Sequence, residues 1–281
     1  MQLFRALKDL SRPLNGLITA LSVGVGALCV EGPVHLSSLL LAMLSAALIN
    51  AAGNAFNDLC DIDIDRVNRP DRPLPSQRIT PRAAALYASV CTVAGLLMAL
   101  AISPLHALLA TAISALLVLY SAHLKNSVLW GNALVGAISA AAFPYGALTS
   151  GLWGHAWIPA AFALLFHLGR EIVKDIEDMA GDSLRGTRTL PLRYGLRTAT
   201  RAAAGVYSAL VTFTLVPFAI GLYGPIYLVC ALTVDLVVIH VLYQLCRSDS
   251  APNDGALGRR LKWGMLLGLI AIVLGEWSRS F

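Results

Sequence analysis

Charged side chains are scarce in this sequence. Only 13% of the 281 residues are Asp, Glu, Lys or Arg, whereas 57% are hydrophobic and the mean hydropathy is +0.70. A soluble domain of ordinary composition carries about 25% charged residues, so the composition argues against that class of protein. Apolar runs close to the roughly 20 residues that cross the hydrocarbon layer recur along the chain instead. The sequence therefore predicts an integral membrane protein.

Paired cysteines and metal-binding spacings of cysteine or histidine are also missing. The five cysteines show no paired spacing, and most lie within apolar runs, as buried small residues do. This argues against a disulfide framework and a zinc site. The N-terminal apolar run follows Arg12-Pro13 without an obvious small-residue cleavage site. We therefore expect the first membrane helix there and not a secretory signal.

Nine membrane spans are predicted. Helices fit them better than barrel strands, because the runs are long and do not alternate between apolar and polar residues. The expected fold is an all-α polytopic membrane protein, with a single transmembrane domain over residues 1–281. The spans are residues 14–31, 36–58, 83–103, 105–122, 128–149, 157–177, 199–220, 224–245 and 262–279.

Basic residues concentrate on one side of this topology. Of the 21 Lys and Arg residues, 20 lie before the first span or near the ends of the even-numbered spans, and only Arg279 lies on the other side. The positive-inside rule then predicts a cell-membrane protein with its N-terminus in the cytoplasm and its C-terminus outside. The net charge of +5 follows from this bias, so no nucleic-acid partner is expected. No protein partner can be inferred, and membrane lipids surround the chain.

Two acid clusters share the spacing D-x-x-D-x-x-x-D at an offset of 117 residues. Polar residues extend both clusters upstream in steps of three or four, so each series forms a stripe on one helix face. The two series are Asn50, Asn54, Asp58, Asp61 and Asp65, and His167, Glu171, Asp175, Asp178 and Asp182. Polar groups at membrane depth normally face a cavity or each other. Because the matching spans run in the same direction, spans one to four and five to eight suggest a parallel internal repeat.

Six close carboxylates repel one another unless a cation neutralises them. Hard divalent cations prefer oxygen ligands, and Mg²⁺ commonly combines one or two carboxylates with water and a substrate phosphate. The pattern therefore indicates a metal–diphosphate site, with a solvated acidic helix end as the structural alternative. The basic residues available for phosphate oxygens are Arg66, Arg69, Arg72, Lys125, Lys174, Arg185 and Arg188.

The stretch NDLCDIDIDRVNRPDRPLPSQRIT resembles the N-D-x-x-D-x-x-x-D signature of the UbiA-type intramembrane prenyltransferases. REIVKDIEDMAGD resembles that family's D-x-x-x-D signature, here Asp178 and Asp182. The resemblance covers essentially the whole chain. It implies Mg²⁺-dependent transfer of a polyprenyl group from its diphosphate to a lipophilic acceptor. In such a reaction the diphosphate departs and leaves an allylic cation, which the acceptor attacks.

The resemblance also implies roles for individual residues. Catalytic and metal-binding roles go to Asp58, Asp61, Asp65, Asp178 and Asp182. Substrate-binding roles go to Asn57, Arg66, Arg72, Lys125, Glu171, Lys174 and Asp175, together with Asn15, Tyr120 and Asn132, for which interhelical hydrogen bonding is an equal alternative. In one departure, Gln77 stands where the family loop often has glycine after Pro-Ser, which changes a turn residue.

Within the family, the run REIVKDIEDMAGD…GTRTLP looks closest to the digeranylgeranylglyceryl phosphate synthases. Those enzymes transfer a geranylgeranyl group to the hydroxyl of geranylgeranylglyceryl phosphate in ether-lipid synthesis. The alternative is an aromatic acceptor of the 4-hydroxybenzoate, homogentisate or naphthoate type in quinone synthesis.

Two rival classes have weaker support. A cation-coupled transporter should carry its acids near the bilayer midplane, whereas both clusters here lie at the cytoplasmic edge. A CDP-alcohol phosphotransferase would have glycine after the second aspartate of D-x-x-D, but Ile62 follows Asp61. One further acid, Asp235, lies in the middle of a span, and we expect it to make a structural hydrogen bond.

Overall fold

The computed structural model describes residues 2–183, 187–247 and 255–279, and in these ranges it contains helices, turns and loops but no β-strand. This confirms the predicted all-α class. The described α-helices are α1 (Gln2–Ser11), α2 (Pro13–Leu28), α3 (Leu36–Cys60), α4 (Ile62–Asn68), α5 (Pro81–Ile102), α6 (Pro104–Ala122), α7 (Trp130–Ala147), α8 (Trp157–Glu177), α9 (Met179–Ser183), α10 (Leu190–Tyr194), α11 (Leu196–Thr214), α12 (Val216–Ala219), α13 (Pro225–Arg247) and α14 (Ala256–Arg279).

Six stretches of the described chain are helical, long and apolar enough to cross a membrane. They are α3, α5, α6, α7 with the turn after it, α11 with α12, and α13. Helix α2 is apolar but shorter, whereas α8 and α14 match predicted spans and carry more charge. The chain is therefore a multi-pass membrane protein, and the number of nine spans stays a prediction.

Helix starts follow local capping chemistry. The Thr80 hydroxyl accepts a hydrogen bond from the amide of Ala83 at 3.2 Å, and Pro81 occupies the first position of α5. Ser103 caps α6 in the same way through the amide of His106 at 3.2 Å, again with proline next. Such caps satisfy amides that have no partner within the helix, and proline's fixed φ suits a first turn. These two signals separate α5 from α6 although the apolar run is almost continuous.

The chain divides into two compact units, of which the first comprises residues 1–125 and 141–156. Small residues bring its helices together. A Cβ at Gly26 would lie 1.9 Å from the carbonyl oxygen of Phe143, and one at Gly146 equally close to that of Val23. Helix α2 and the end of α7 therefore touch backbone to backbone, which is how membrane helices commonly pack.

The second unit comprises residues 126–140 and 157–281. Its core is formed by large residues of α8, α11, α13 and α14, including Phe166, Ile172, Tyr207, Val238 and Leu261. The rings of Phe166 and Tyr207 meet edge to face, with centroids 6.1 Å apart. This packing holds α8, which carries the second acid cluster.

Both acid-bearing helices break at the same register. Helix α3 ends at Cys60 and α4 begins at Ile62, whereas α8 ends at Glu177 and α9 begins at Met179, 117 residues later in each case. The residue at each break is the middle aspartate of its cluster, Asp61 or Asp178. The local part of the predicted repeat is thus present in the fold, and a repeat of whole four-helix units stays a prediction.

Candidate active site

Three carboxylates of the first cluster are buried. Asp58 on α3, Asp61 at the helix break and Asp65 on α4 are only 2%, 3% and 3% exposed. The backbone ladder continues through the break, since the amide of Asp65 donates to the carbonyl of Asp61 at 2.8 Å. The three side chains therefore stay on one face, as the spacing predicts. Buried charges of one sign require partners of the other sign.

Three basic side chains supply that opposite charge. Arg72 donates from Nη1 to Asp58 Oδ1 at 3.2 Å and to Asp65 Oδ2 at 2.6 Å. Arg12 donates from Nη2 to the same oxygen of Asp58. Lys125 Nζ donates to Asp61 Oδ2. The predicted substrate-binding residues Arg72 and Lys125 thus lie directly at the acid cluster.

Oxygen atoms remain for a metal ion. Asn57 Nδ2 also donates to Asp61 Oδ2, at 2.8 Å, so the hydrogen bonds of each carboxylate converge on one of its oxygens. Within the described chain, the second oxygens of Asp58, Asp61 and Asp65 make no hydrogen bond. Carboxylate oxygens are the ligands that a hard divalent cation prefers. Burial raises the pKa of Asp65, and the charge of Arg72 opposes that rise.

Arg12 is a site residue that sequence reasoning missed. Its backbone has a φ of 49°, in the left-handed region, and it lies between α1 and α2 immediately before Pro13. Its Nη1 is 3.5 Å from Asn54 Oδ1, and the Asn54 amide donates to the carbonyl of Ser11 at 3.3 Å. The α1–α2 junction is thereby fixed against α3. The Arg12-Pro13 stretch matches the family in sequence, but no role was predicted for Arg12, because its partners are more than 40 residues away.

Other predicted residues of the first unit lie apart from these contacts. Arg66 pairs with Asp63 at 2.9 Å on an exposed face. Asn15 lies half-buried in the first turn of α2, and Tyr120 lies half-buried near the end of α6. A substrate-binding role for these three residues stays a prediction.

The second cluster lies in the second unit and has its own partners. Glu171 is 5% exposed, and it accepts hydrogen bonds from Arg170 Nη1 at 2.7 Å and Lys174 Nζ at 2.8 Å. Asn132 Nδ2 donates to Asp175 Oδ2 at 2.8 Å. The predicted residues Glu171, Lys174, Asp175 and Asn132 therefore belong to connected polar groups on α7 and α8. The hydrogen bond of Asn132 is the interhelical kind that the sequence left open.

The two remaining acids of this cluster follow the break after α8. Asp178 is half-buried at the break, and Asp182 is 8% exposed on α9. The carbonyl of Asp182 accepts a hydrogen bond from the Thr187 hydroxyl at 3.1 Å. Arg185 lies outside the described residues, whereas Arg188 is exposed.

The intramembrane acid Asp235 makes the hydrogen bond expected of a structural residue. The Thr214 hydroxyl on α11 donates to Asp235 Oδ2 at 2.9 Å, and the Tyr227 hydroxyl donates to the carbonyl of Thr214 at 2.8 Å. These bonds tie α11 to α13 within the second unit.

Comparison with known proteins assigns the class. The model of the UbiA prenyltransferase family matches residues 17–275, so the chain belongs to that family and is a prenyltransferase. This confirms the resemblance seen in the two acid motifs.

Particular relatives are similar over nearly their whole length. A digeranylgeranylglyceryl phosphate synthase of Methanopyrus kandleri is 39% identical over 96% of this chain and 98% of its own. A second digeranylgeranylglyceryl phosphate synthase, from Halobacterium salinarum, is 35% identical over 98% of this chain and 99% of its own. A UbiA homologue from Archaeoglobus fulgidus, solved bound to GPP and Mg²⁺, superposes with a TM-score of 0.74 at 21% identity, covering 98% of this chain and 100% of that one. This last likeness concerns the fold.

Proposed function

We propose that this protein transfers a geranylgeranyl group from its diphosphate to the hydroxyl of geranylgeranylglyceryl phosphate, a step of ether-lipid synthesis, with Mg²⁺ as cofactor. The observation that carries the chemistry is the group of three buried aspartates, each with one oxygen held by a basic or amide side chain and the other without a hydrogen bond in the described chain. The choice of acceptor is supported by the relatives, which are named digeranylgeranylglyceryl phosphate synthase.

Metal binding is assigned to the aspartates of both motifs. Asp58, Asp61 and Asp65 hold Mg²⁺ in the first unit, and Asp178 and Asp182 hold it in the second. When bound, the metal stabilises the negative charge that develops on the departing diphosphate. Solved UbiA homologues bound to GPP with Mg²⁺, to DMAPP with Mg²⁺ and to Cd²⁺ support the use of a divalent cation.

Diphosphate binding is assigned to the basic side chains that pair with the acids of the first cluster in this structure. Arg12, Arg72 and Lys125 balance three carboxylates, so a metal–diphosphate pair enters a cluster that is close to neutral. With a metal held by the carboxylates, these side chains would donate to phosphate oxygens and stabilise the leaving group. Arg66 in the first unit and Lys174 in the second are assigned to phosphate binding as well, whereas Asn57, Glu171 and Asp175 orient the polar groups that they contact.

The apolar helices have a chemical task as well. An allylic cation is quenched by water, so the walls around the isoprenoid chain must exclude it. Asn15 and Tyr120 in the first unit and Asn132 in the second unit are assigned to substrate binding in the proposed enzyme. The whole chain then acts as one prenyltransferase domain in the cell membrane, with its N-terminus in the cytoplasm.

The test is product analysis by mass spectrometry. Purified protein receives geranylgeranyl diphosphate and Mg²⁺, with geranylgeranylglyceryl phosphate and 4-hydroxybenzoate as competing acceptors and a chelated control. We expect a doubly prenylated glycerol phosphate that disappears on chelation. A prenylated aromatic compound would overturn the acceptor and keep the chemistry. If neither product forms and vesicles containing the protein show Mg²⁺-dependent ion flux, the transporter class would be favoured instead.

A further inference from the structure

One edge of the Arg170 guanidinium has no partner. Arg170 uses Nη1 to donate to Glu171 at 2.7 Å, and Nε is buried without a hydrogen bond to any described residue. The Nε and Nη2 hydrogens point in parallel from the other edge, which is the edge that binds planar or tetrahedral oxyanions through two bonds. The Arg170 side chain as a whole is 19% exposed, although its Nε is buried.

A second unpaired donor lies on the facing helix. Tyr207 on α11 is fully buried, and its hydroxyl has no partner among the described residues. A Cβ at Gly169 would lie 2.6 Å from Cε1 and 2.7 Å from Cζ of Tyr207. The phenol end of the ring therefore lies over α8 at Gly169, the residue before Arg170. Buried donors normally have an acceptor, so two unpartnered donors on contacting helices call for an explanation.

Two cations of α8 share one directly bound carboxylate. Arg170 and Lys174 are one helical turn apart, and both donate to Glu171. Asp175 on the same helix accepts a hydrogen bond from Asn132. Lys174 lies four residues before Asp178, and four residues rise by about 6 Å along a helix. The two cations are therefore close to the proposed metal ligand Asp178 but separate from it.

We propose that Arg170, supported by Lys174 and the Tyr207 hydroxyl, binds the phosphate monoester of the acceptor lipid. The inference rests on the proposed function and deepens it, since it names the group that selects a phosphorylated acceptor. The phosphate accepts two bonds from the free edge of Arg170 and one from Tyr207, and the positive charges of Arg170 and Lys174 attract it. In the acceptor, phosphate and hydroxyl are on neighbouring carbons, so binding of the phosphate also restricts the position of the reacting hydroxyl.

The experiment compares geranylgeranylglyceryl phosphate with its dephosphorylated alcohol as acceptor. The variants are Arg170→Lys, which keeps a charge for Glu171 but lacks the two-donor edge, and Tyr207→Phe, which removes only the hydroxyl. The melting temperature of each variant is measured first and should equal that of the wild type. For Arg170→Lys we expect kcat/KM with the phosphate acceptor to fall about 10- to 100-fold, since charged hydrogen bonds are lost. We expect no change in kcat/KM with the alcohol as acceptor. We also expect no change in the KM of the prenyl diphosphate.

Equal losses with both acceptors, or no loss with either, would overturn the assignment of the phosphate to Arg170. Equilibrium binding of geranylgeranylglyceryl phosphate without the diphosphate donor separates this inference from the proposed function. Binding that weakens in Arg170→Lys while the wild type forms no product would reject the function and keep the site. Wild-type protein that does not bind the phosphate lipid would reject both.

Discussion

Arg12 has a backbone conformation that few side chains adopt. Its φ of 49° lies in the left-handed region, which costs an ordinary residue about 1–2 kcal/mol. Its guanidinium contacts Asp58 and lies within reach of Asn54. A strained residue that reaches a buried carboxylate is a candidate functional group. We therefore place Arg12 among the residues that bind the diphosphate.

Replacing Arg12 by glutamine tests this placement. Arg12→Gln should lower turnover about 10- to 100-fold and raise the KM of the prenyl diphosphate, because a charged donor to the phosphate is lost. The matched control is Arg5→Gln, which removes an exposed cation from the adjacent helix α1. Steady-state kinetics of both variants give the answer. Equal kinetics for the two would show that Arg12 contributes only general positive charge.

Gln77 is the second residue with a left-handed backbone, and its φ is 57°. This explains why glycine suits the position in the related loop. Gln77→Gly should raise the free energy of unfolding by about 1 kcal/mol, whereas Gln77→Ala should leave it nearly unchanged because alanine keeps the steric penalty. Thermal unfolding in detergent measures both. Stabilisation by alanine equal to that by glycine would contradict the backbone explanation.

At the scale of helices, Glu177 links the end of α8 to the start of α14. Its carboxylate accepts hydrogen bonds from the amides of Leu257 at 2.9 Å and Gly258 at 3.2 Å. Amides in the first turn of a helix have no partner in the helix itself. A negative charge at that end also interacts favourably with the helix dipole. The 80 residues between these partners hide the contact from any local pattern in the sequence.

Removing this cap should destabilise the second unit. Glu177→Ala should lower the free energy of unfolding by about 1–2 kcal/mol, as loss of a helix cap does. Glu177→Gln keeps one acceptor oxygen and should lose less. The measurement is thermal unfolding of the purified variants. A melting temperature of Glu177→Ala equal to that of the wild type would show that α14 does not depend on this cap.

Periodicity and length predicted the long helices well, because apolar runs bounded by proline, serine and threonine are local signals. The repeated acid spacing was also visible in the sequence, but the helix breaks at Asp61 and Asp178 were not predicted. The short helices α4, α9 and α10 were not predicted, since they are too short for a periodic pattern. Within the site, the aspartates, Arg72 and Lys125 could be found from motifs. Arg12 and Arg170 lie in stretches that match the family, but no role was predicted for them, and Tyr207 could not be found because its packing against Gly169 is a tertiary contact.

At the scale of the whole molecule, the distribution of charge predicts the orientation. With 20 of 21 basic residues assigned to one side, that side should face the cytoplasm. A protease added outside right-side-out vesicles should therefore remove a C-terminal tag and leave an N-terminal tag intact. Opening the vesicles is the control and should expose both tags. Two protected tags on intact vesicles would mean an even number of spans.

Asp58 is the central metal–diphosphate ligand of the proposed site, and Asp63 offers a matched control within the same motif. Asp58 is buried at the cluster, whereas the side chain of Asp63 is 75% exposed and pairs with Arg66. The decisive measurement is Mg²⁺-dependent prenyl transfer by Asp58→Asn and Asp63→Asn. We predict a loss of about 100-fold or more for Asp58→Asn at unchanged melting temperature, and wild-type turnover for Asp63→Asn. Wild-type turnover in Asp58→Asn, or equal losses in both variants, would contradict the account.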